Sequence, residues 1–220
     1  MKKIAVLLYP NFSLQEITTL TSCLTVWFGQ TLDFVGSELE PYRSEEGFLV
    51  TPTKRACDVS AGDYDCVILP GIIDPMPALF DDRLTDFLRG AGEGTLLAAI
   101  SSSPLLLAKA GLLDRRKFTA GFFMQMVDHF SFIPGENFVH RPVVEDGNVI
   151  TAIGFAFREF AEAVLKRLGF DPGEKLMWPV EGEYTEEELT FYWEEADYRE
   201  FLQELEGYQK KQAVPLPTSP

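Results

Sequence analysis

At 220 residues and 46% hydrophobic content, the chain is long enough to bury one substantial core, and one α/β domain with an appendage fits that length. A formal charge of −15 opposes phosphate backbones and anionic lipid, both of which attract Lys and Arg, so nucleic acid and membrane surfaces are excluded as partners. The three cysteines, Cys23, Cys57 and Cys66, are odd in number, widely spaced and free of C-x-x-C pairs. They suggest neither a disulfide framework nor a zinc site, and the sequence assigns no metal and no cofactor.

The opening run "MKKIAVLLYP" breaks at Tyr9-Pro10, too early for a secretory signal, and is expected to form a first strand. No segment approaches the ~20 apolar residues of a membrane span, and a cytoplasmic location is expected. "IAVLL" (4–8), "CVILP" (66–70) and "TLLAAI" (95–100) are short, almost uninterrupted apolar runs, the pattern of strands covered on both faces of a parallel sheet. Helices are expected between them. Residues 14–28 follow Ser13, a predicted N-cap, and carry Ile17, Leu20, Leu24 and Phe28 at helical spacing. Residues 77–89 follow two prolines, and Pro104 opens a further helix ending near Gly111.

Asp146-Gly147 joins two β-rich arms in "RPVVEDGNVITA" (141–152), a hairpin signal. The following segment sets Phe157, Phe160, Val164 and Leu168 on one stripe and ends at Gly169, a predicted C-cap. The pattern predicts a three-layer α/β sandwich with a mostly parallel central sheet, flavodoxin-like, over residues 1–170. Residues 171–206 are read as a connector and a C-terminal helix over about 185–206, packed on the domain or at a dimer interface, and 207–220 as a frayed tail. That helix carries Leu189, Trp193, Ala196, Phe201, Leu202 and Leu205 among many glutamates.

Parallel α/β sheets concentrate chemistry at the carboxyl ends of their strands. Three such ends read "YPNFSLQE", "LPGIIDP" (69–75) and "ISSSP" (100–104). Ser101, Ser102 and Ser103 stand at the sharp strand-to-helix bend, where their hydroxyls are expected to cap the helix and line a pocket open to a small anion or carbonyl ligand.

Four blocks in this order, "VLLYPNFSLQE", "DYDCVILPG", "LLAAISSSPLLLAKAGLLDRRKFT" and "VVEDGNVITAIGFAFREFAEAVL", resemble the ThiJ/PfpI superfamily, whose fold is glutamine amidotransferase-like, over about residues 1–169. The resemblance implies a nucleophilic Cys at the bend, an acid from the first loop beside it, a Pro-Gly-Gly turn offering backbone N–H donors, and often a His nearby. On this chain the acid position falls on Glu16 and the first glycine of the donor turn on Gly71. Ser101 stands at the nucleophile position, Ser102 and Ser103 follow it, Ile72 replaces the second glycine, and Gly121 lies where some relatives carry His. Phe155 and Phe157 replace small residues and are expected to narrow the pocket.

A thiol titrates near ~8.5 and is readily ionised at a helix N-terminus, whereas a serine hydroxyl requires a positioned base. The chain has two histidines, His129 and His140, neither at the family's position. The leading expectation is a member that has lost the cysteine chemistry and binds a small molecule or partner. One alternative is a hydrolase or lyase using Ser101 with Glu16 and His129, the latter as an Asp128-His129 unit. Another is a stress-type chaperone or oligomeric scaffold built on the C-terminal helix. Glu16 itself reads either as an acid or base raised by burial or as a quiet carboxyl satisfied by its neighbours. A homodimer is expected from the resemblance.

Overall fold

A computed structural model describes residues 1–173, 185 and 194–212, and the chain divides into two units, 1–178 and 179–220. In the first unit a seven-stranded sheet has the order β5-β2-β1-β6-β7-β9-β8, with β1 Ile4–Leu8, β2 Leu32–Gly36, β5 Lys54–Arg55, β6 Cys66–Leu69, β7 Leu96–Ile100, β8 Val143–Asp146 and β9 Val149–Ala152. Every pairing is parallel except that of β8 with β9, the hairpin that Asp146-Gly147 predicts. A separate short hairpin pairs β3 (Tyr42–Arg43) with β4 (Leu49–Val50). The three central strands are buried along their whole length, as their apolar runs require.

Helices cover the sheet in two groups. Helix α1 (Gln15–Ser22) packs on α6 (Phe157–Leu168), which also contacts β7 and β9. Helix α4 (Pro104–Lys109) packs against α2 (Met76–Leu79) and α3 (Asp82–Arg89). A short helix, α5 (Met124–His129), follows the loop after α4. Phe160, Val164 and Leu168 on the stripe of α6 are buried, and Gly169 closes that helix at φ 88°, a left-handed cap that glycine adopts without strain.

Several boundaries differ from expectation. The helix expected over 14–28 is α-helical only to Ser22 and continues as a π-helical stretch, Cys23–Trp27, before Gly29 turns the chain at φ 58°. Residues 77–89 form two helices because Asp81 leaves helical conformation and its side chain caps α3, accepting from the Arg83 N–H at 3.2 Å. Ser13 does not cap α1. Its hydroxyl donates to Glu46, whose carboxylate takes over the helix terminus by accepting the N–H groups of Leu14 (3.2 Å) and Gln15 (2.9 Å).

In the second unit, α7 spans Glu195–Gln212, and residues 186–193 of the expected helix lie outside the described residues. Its described part carries i,i+4 ion pairs Glu195–Arg199 and Glu206–Lys210, and Tyr198 stacks on Phe201. Leu189 and Trp193, and the side chain of Leu205, lie outside the described residues. Among the described residues no helix is long and apolar enough to cross a membrane.

Candidate functional site

The site forms where β1, β6 and β7 end. Ser101, the first residue after β7, adopts φ 61°, a left-handed conformation unusual for a residue with a side chain. It is pinned there by two backbone bonds: its N–H donates to the Ala152 carbonyl (2.8 Å) and its carbonyl accepts from the Gly121 N–H (2.7 Å). The bend is therefore built between β9 and the 118–121 loop, and it turns the side chain out of the sheet toward Glu16.

The other two serines do not cap α4. Pro104 opens that helix without an N–H, and both hydroxyls instead face carbonyls of neighbouring strand ends. Ser102 donates to the Ile72 carbonyl. The fully buried Ser103 hydroxyl lies 2.9 Å from the Leu69 carbonyl and 2.8 Å from the Ile100 carbonyl, and it accepts the Ile100 N–H at 3.0 Å. Tyr9, also buried, donates to the Pro70 carbonyl. Together these bonds staple the loop 70–72 to the serine turn and satisfy carbonyls that the sheet leaves open.

On the first loop, the Ser13 N–H donates to the Gly71 carbonyl (2.8 Å), bringing the start of α1 against the 70–73 turn. Glu16, in the first turn of α1, thereby enters a space that only glycines leave open. A Cβ on Gly71 would stand 1.7 Å from Glu16 Oε2, and one on Gly154 would stand 2.2 Å from Oε1 and 3.2 Å from Ser101 Oγ. Burial raises the Glu16 carboxyl from 4.5 to about 7; the Ser101 hydroxyl and Gly71 N–H oppose the rise, and Glu45 and Glu46 add to it. Oε2 is buried without a hydrogen-bond partner, which accords with a group that retains its proton.

A cavity of about 320 Å³ opens beside this pair. Glu16, Ser101, Ser102 and Gly121 line its polar side. Ile72, Phe122 and Met126 line its apolar side, and the exposed Ile73, Phe123 and Glu45 form its rim. No His, Lys or Arg among the described residues lines it. His129 is exposed at the end of α5 and meets Phe130 edge-on at 5.2 Å, while His140 is exposed beside Phe138. The arrangement thus brings together Glu16, Gly71, Ile72, Ser101, Ser102 and Gly121, places Ser103 beneath them, and leaves His129 outside.

Phe155 does not narrow the cavity: it is 80% exposed, and Phe157 turns to meet the Arg158 guanidinium. The narrowing residues are Phe122 and Met126, which sequence reasoning passed over, although the run "GFFMQM" directly after Gly121 carries them. The sequence does not single out Glu45 or Glu46 either: two adjacent acids in the short loop between β3 and β4 say nothing of the distant helix that Glu46 caps.

Cys66 and Cys23 are buried, and burial raises both thiols. Cys57 is exposed and 3.6 Å from Asp58. A second cavity, about 440 Å³, lies beside Leu97, the residue after the start of β7, with Glu93 ion-paired to Arg116 in its wall, away from the serine turn.

The DJ-1/PfpI family model matches residues 2–167. The chain is 33% identical over 150 residues to the uncharacterized protease YoaZ of Bacillus subtilis, covering 66% of this chain and 70% of that protein. It is 29% identical over 152 residues to DJ-1alpha of Drosophila melanogaster, covering 64% and 68%. The solved structure of a DJ-1 superfamily protein from Agrobacterium tumefaciens superposes with a TM-score of 0.70 at 26% identity, covering 78% of this chain and 93% of that one.

Proposed function

Because the chain belongs to the DJ-1/PfpI family, we propose that it is a member in which Ser101 stands in the place of the family's cysteine nucleophile and the adjoining cavity binds a small molecule without covalent chemistry. The observation that supports this reading is the composition of the cavity: a strained serine against a carboxyl of pKa about 7, with no described His, Lys or Arg lining it. A serine becomes a nucleophile only when a base in hydrogen-bond reach takes its proton. Burial favours the protonated form of the Glu16 carboxyl, and a protonated carboxyl is a donor. The word "protease" in the name of YoaZ describes that relative and is not carried over, since amide hydrolysis asks more of a serine than this pair supplies.

The binding reading is tested by a fragment screen on uniformly 15N-labelled full chain. Fragments that shift the amides of Ser101, Gly121 and Phe122 together support it; a screen that perturbs none of these overturns it.

A second reading has one observation in its favour. A carboxyl poised near neutral pH with an unpartnered buried oxygen suits a general acid or base acting on a bound carbonyl compound, as a hydrolase or lyase would require. It predicts a turnover that follows the Glu16 titration near pH 7 and disappears in Glu16→Gln. The homodimer expected of the family is likewise a proposal, and sedimentation at equilibrium tests it: twice the chain mass supports it and the single chain mass overturns it.

A further inference from the structure

We propose that the cavity selects a small amine, a ligand with one protonated nitrogen at the end of an apolar arm, received between Glu16 and Glu45. This rests on the reading of the cavity as a small-molecule site and adds the charge and shape of what it takes. At about 320 Å³ the space lies at the lower end of the ~300–1,000 Å³ range of ligand sites, so its occupant is small.

Among the described residues, Glu16 and Glu45 are the only ionisable side chains that line it. Their neighbour Glu46 is already engaged by Ser13, Leu14 and Gln15, whereas Glu45 makes no ion pair among the described residues. An anionic ligand would meet two like charges inside a chain of net charge −15. An ammonium group brings three donors and a positive charge to a cavity whose two carboxyl groups, Glu16 and Glu45, offer acceptor oxygens. The hydroxyl of Ser102 is spent on the Ile72 carbonyl and is not free to donate to an anion. The same cavity is lined by Phe122 and Met126, an apolar, polarisable surface for the arm. Bringing the ammonium beside Glu16 also favours its charged form, so binding releases a proton from the fraction of protein that carries one.

Three molecules of one shape separate the possibilities: 3-phenylpropylamine, 3-phenylpropanamide and 3-phenylpropanoate, titrated into full-length protein by calorimetry. The expected result is binding of the amine about tenfold tighter than of the carboxylate, with the amide between them, as two carboxyl groups in partly screened surroundings imply. Glu45→Gln should shrink the ratio about threefold and Glu45→Lys should reverse it; both changes fall on an exposed loop residue whose backbone, not its side chain, holds the loop to Phe12. Equal or tighter binding of the carboxylate, amide binding that matches the amine, or a ratio unmoved by Glu45→Lys each overturns the assignment. Binding of none of the three overturns it too, while the fragment screen decides separately whether the cavity is a binding site.

Discussion

Replacing Glu16 by Gln isolates the electrostatic burden that the site places on the fold. Glutamine matches the protonated carboxyl in shape and keeps a donor, so the variant mimics the neutral form at every pH. In the unfolded chain Glu16 titrates near 4.5, and in the folded protein near 7. The raised value means that the stability its protonated form contributes is fully present below pH 4.5 and is lost as pH rises toward 7. That interval is worth ~3 kcal/mol at 1.36 kcal/mol per pH unit. The carboxyl keeps some contact with solvent, and discounting for screening leaves about 1–2 kcal/mol. Urea denaturation at pH 3.5 and pH 8 measures it. Wild type and Glu16→Gln should match at pH 3.5, and the variant should be more stable by about 1–2 kcal/mol at pH 8. A variant less stable than wild type at pH 8, or one that leaves the pH dependence unchanged, would refute the claim that the carboxyl is held in its neutral form.

Other predictions follow from neighbouring contacts. Gly71→Ala drives a methyl group to 1.7 Å from Glu16 Oε2 and 2.7 Å from Ser101 Cβ, and should cost about 1–3 kcal/mol by overpacking, whereas Gly121→Ala meets Ser101 at 3.4–3.5 Å and should stay within ~0.5 kcal/mol of wild type in thermal melts. Ser103→Ala strands the Leu69 carbonyl and Ile100 N–H in the core, with an expected loss of about 2–3 kcal/mol in chemical denaturation. Glu46→Ala removes the cap of α1 at a cost of about 1 kcal/mol. It should also lower the Glu16 titration midpoint, read by 13C NMR of its carboxyl, because one like charge is gone. Ser101→Cys should gain iodoacetamide reactivity that rises with pH, since a thiol ionises where the hydroxyl does not.

Local pattern made part of this legible in the sequence. The buried strands β1, β6 and β7 announce themselves as apolar runs, and the stripe of α6 as a helical repeat, because their neighbours on both sides are apolar. β2 is not legible: "LDFVG" places Asp33 in a strand whose first three residues are only half-buried, so the run lacks an uninterrupted apolar signal. Glu16 and Gly71 are named through the resemblance to the ThiJ/PfpI superfamily, whereas Ser101 also stands at the end of a strand that its apolar run locates. What they do depends on contacts across the chain. The serines turn to carbonyls 30 and 34 residues away instead of capping their own helix. The terminus of α1 is served by a carboxylate 31 and 32 residues distant, which no local preference for Ser13 reveals. The cavity's wall likewise comes from Phe122 and Met126, whose exposure a short aromatic run does not define.

Whether the cavity is chemically silent turns on one oxygen atom, Ser101 Oγ. Full-length protein incubated with a fluorophosphonate and weighed intact should keep its mass at pH 6, where Glu16 holds its proton, with Ser101 unmodified in the digested peptide. A mass gain equal to one phosphonyl group, mapped to Ser101 and absent after denaturation, would contradict it.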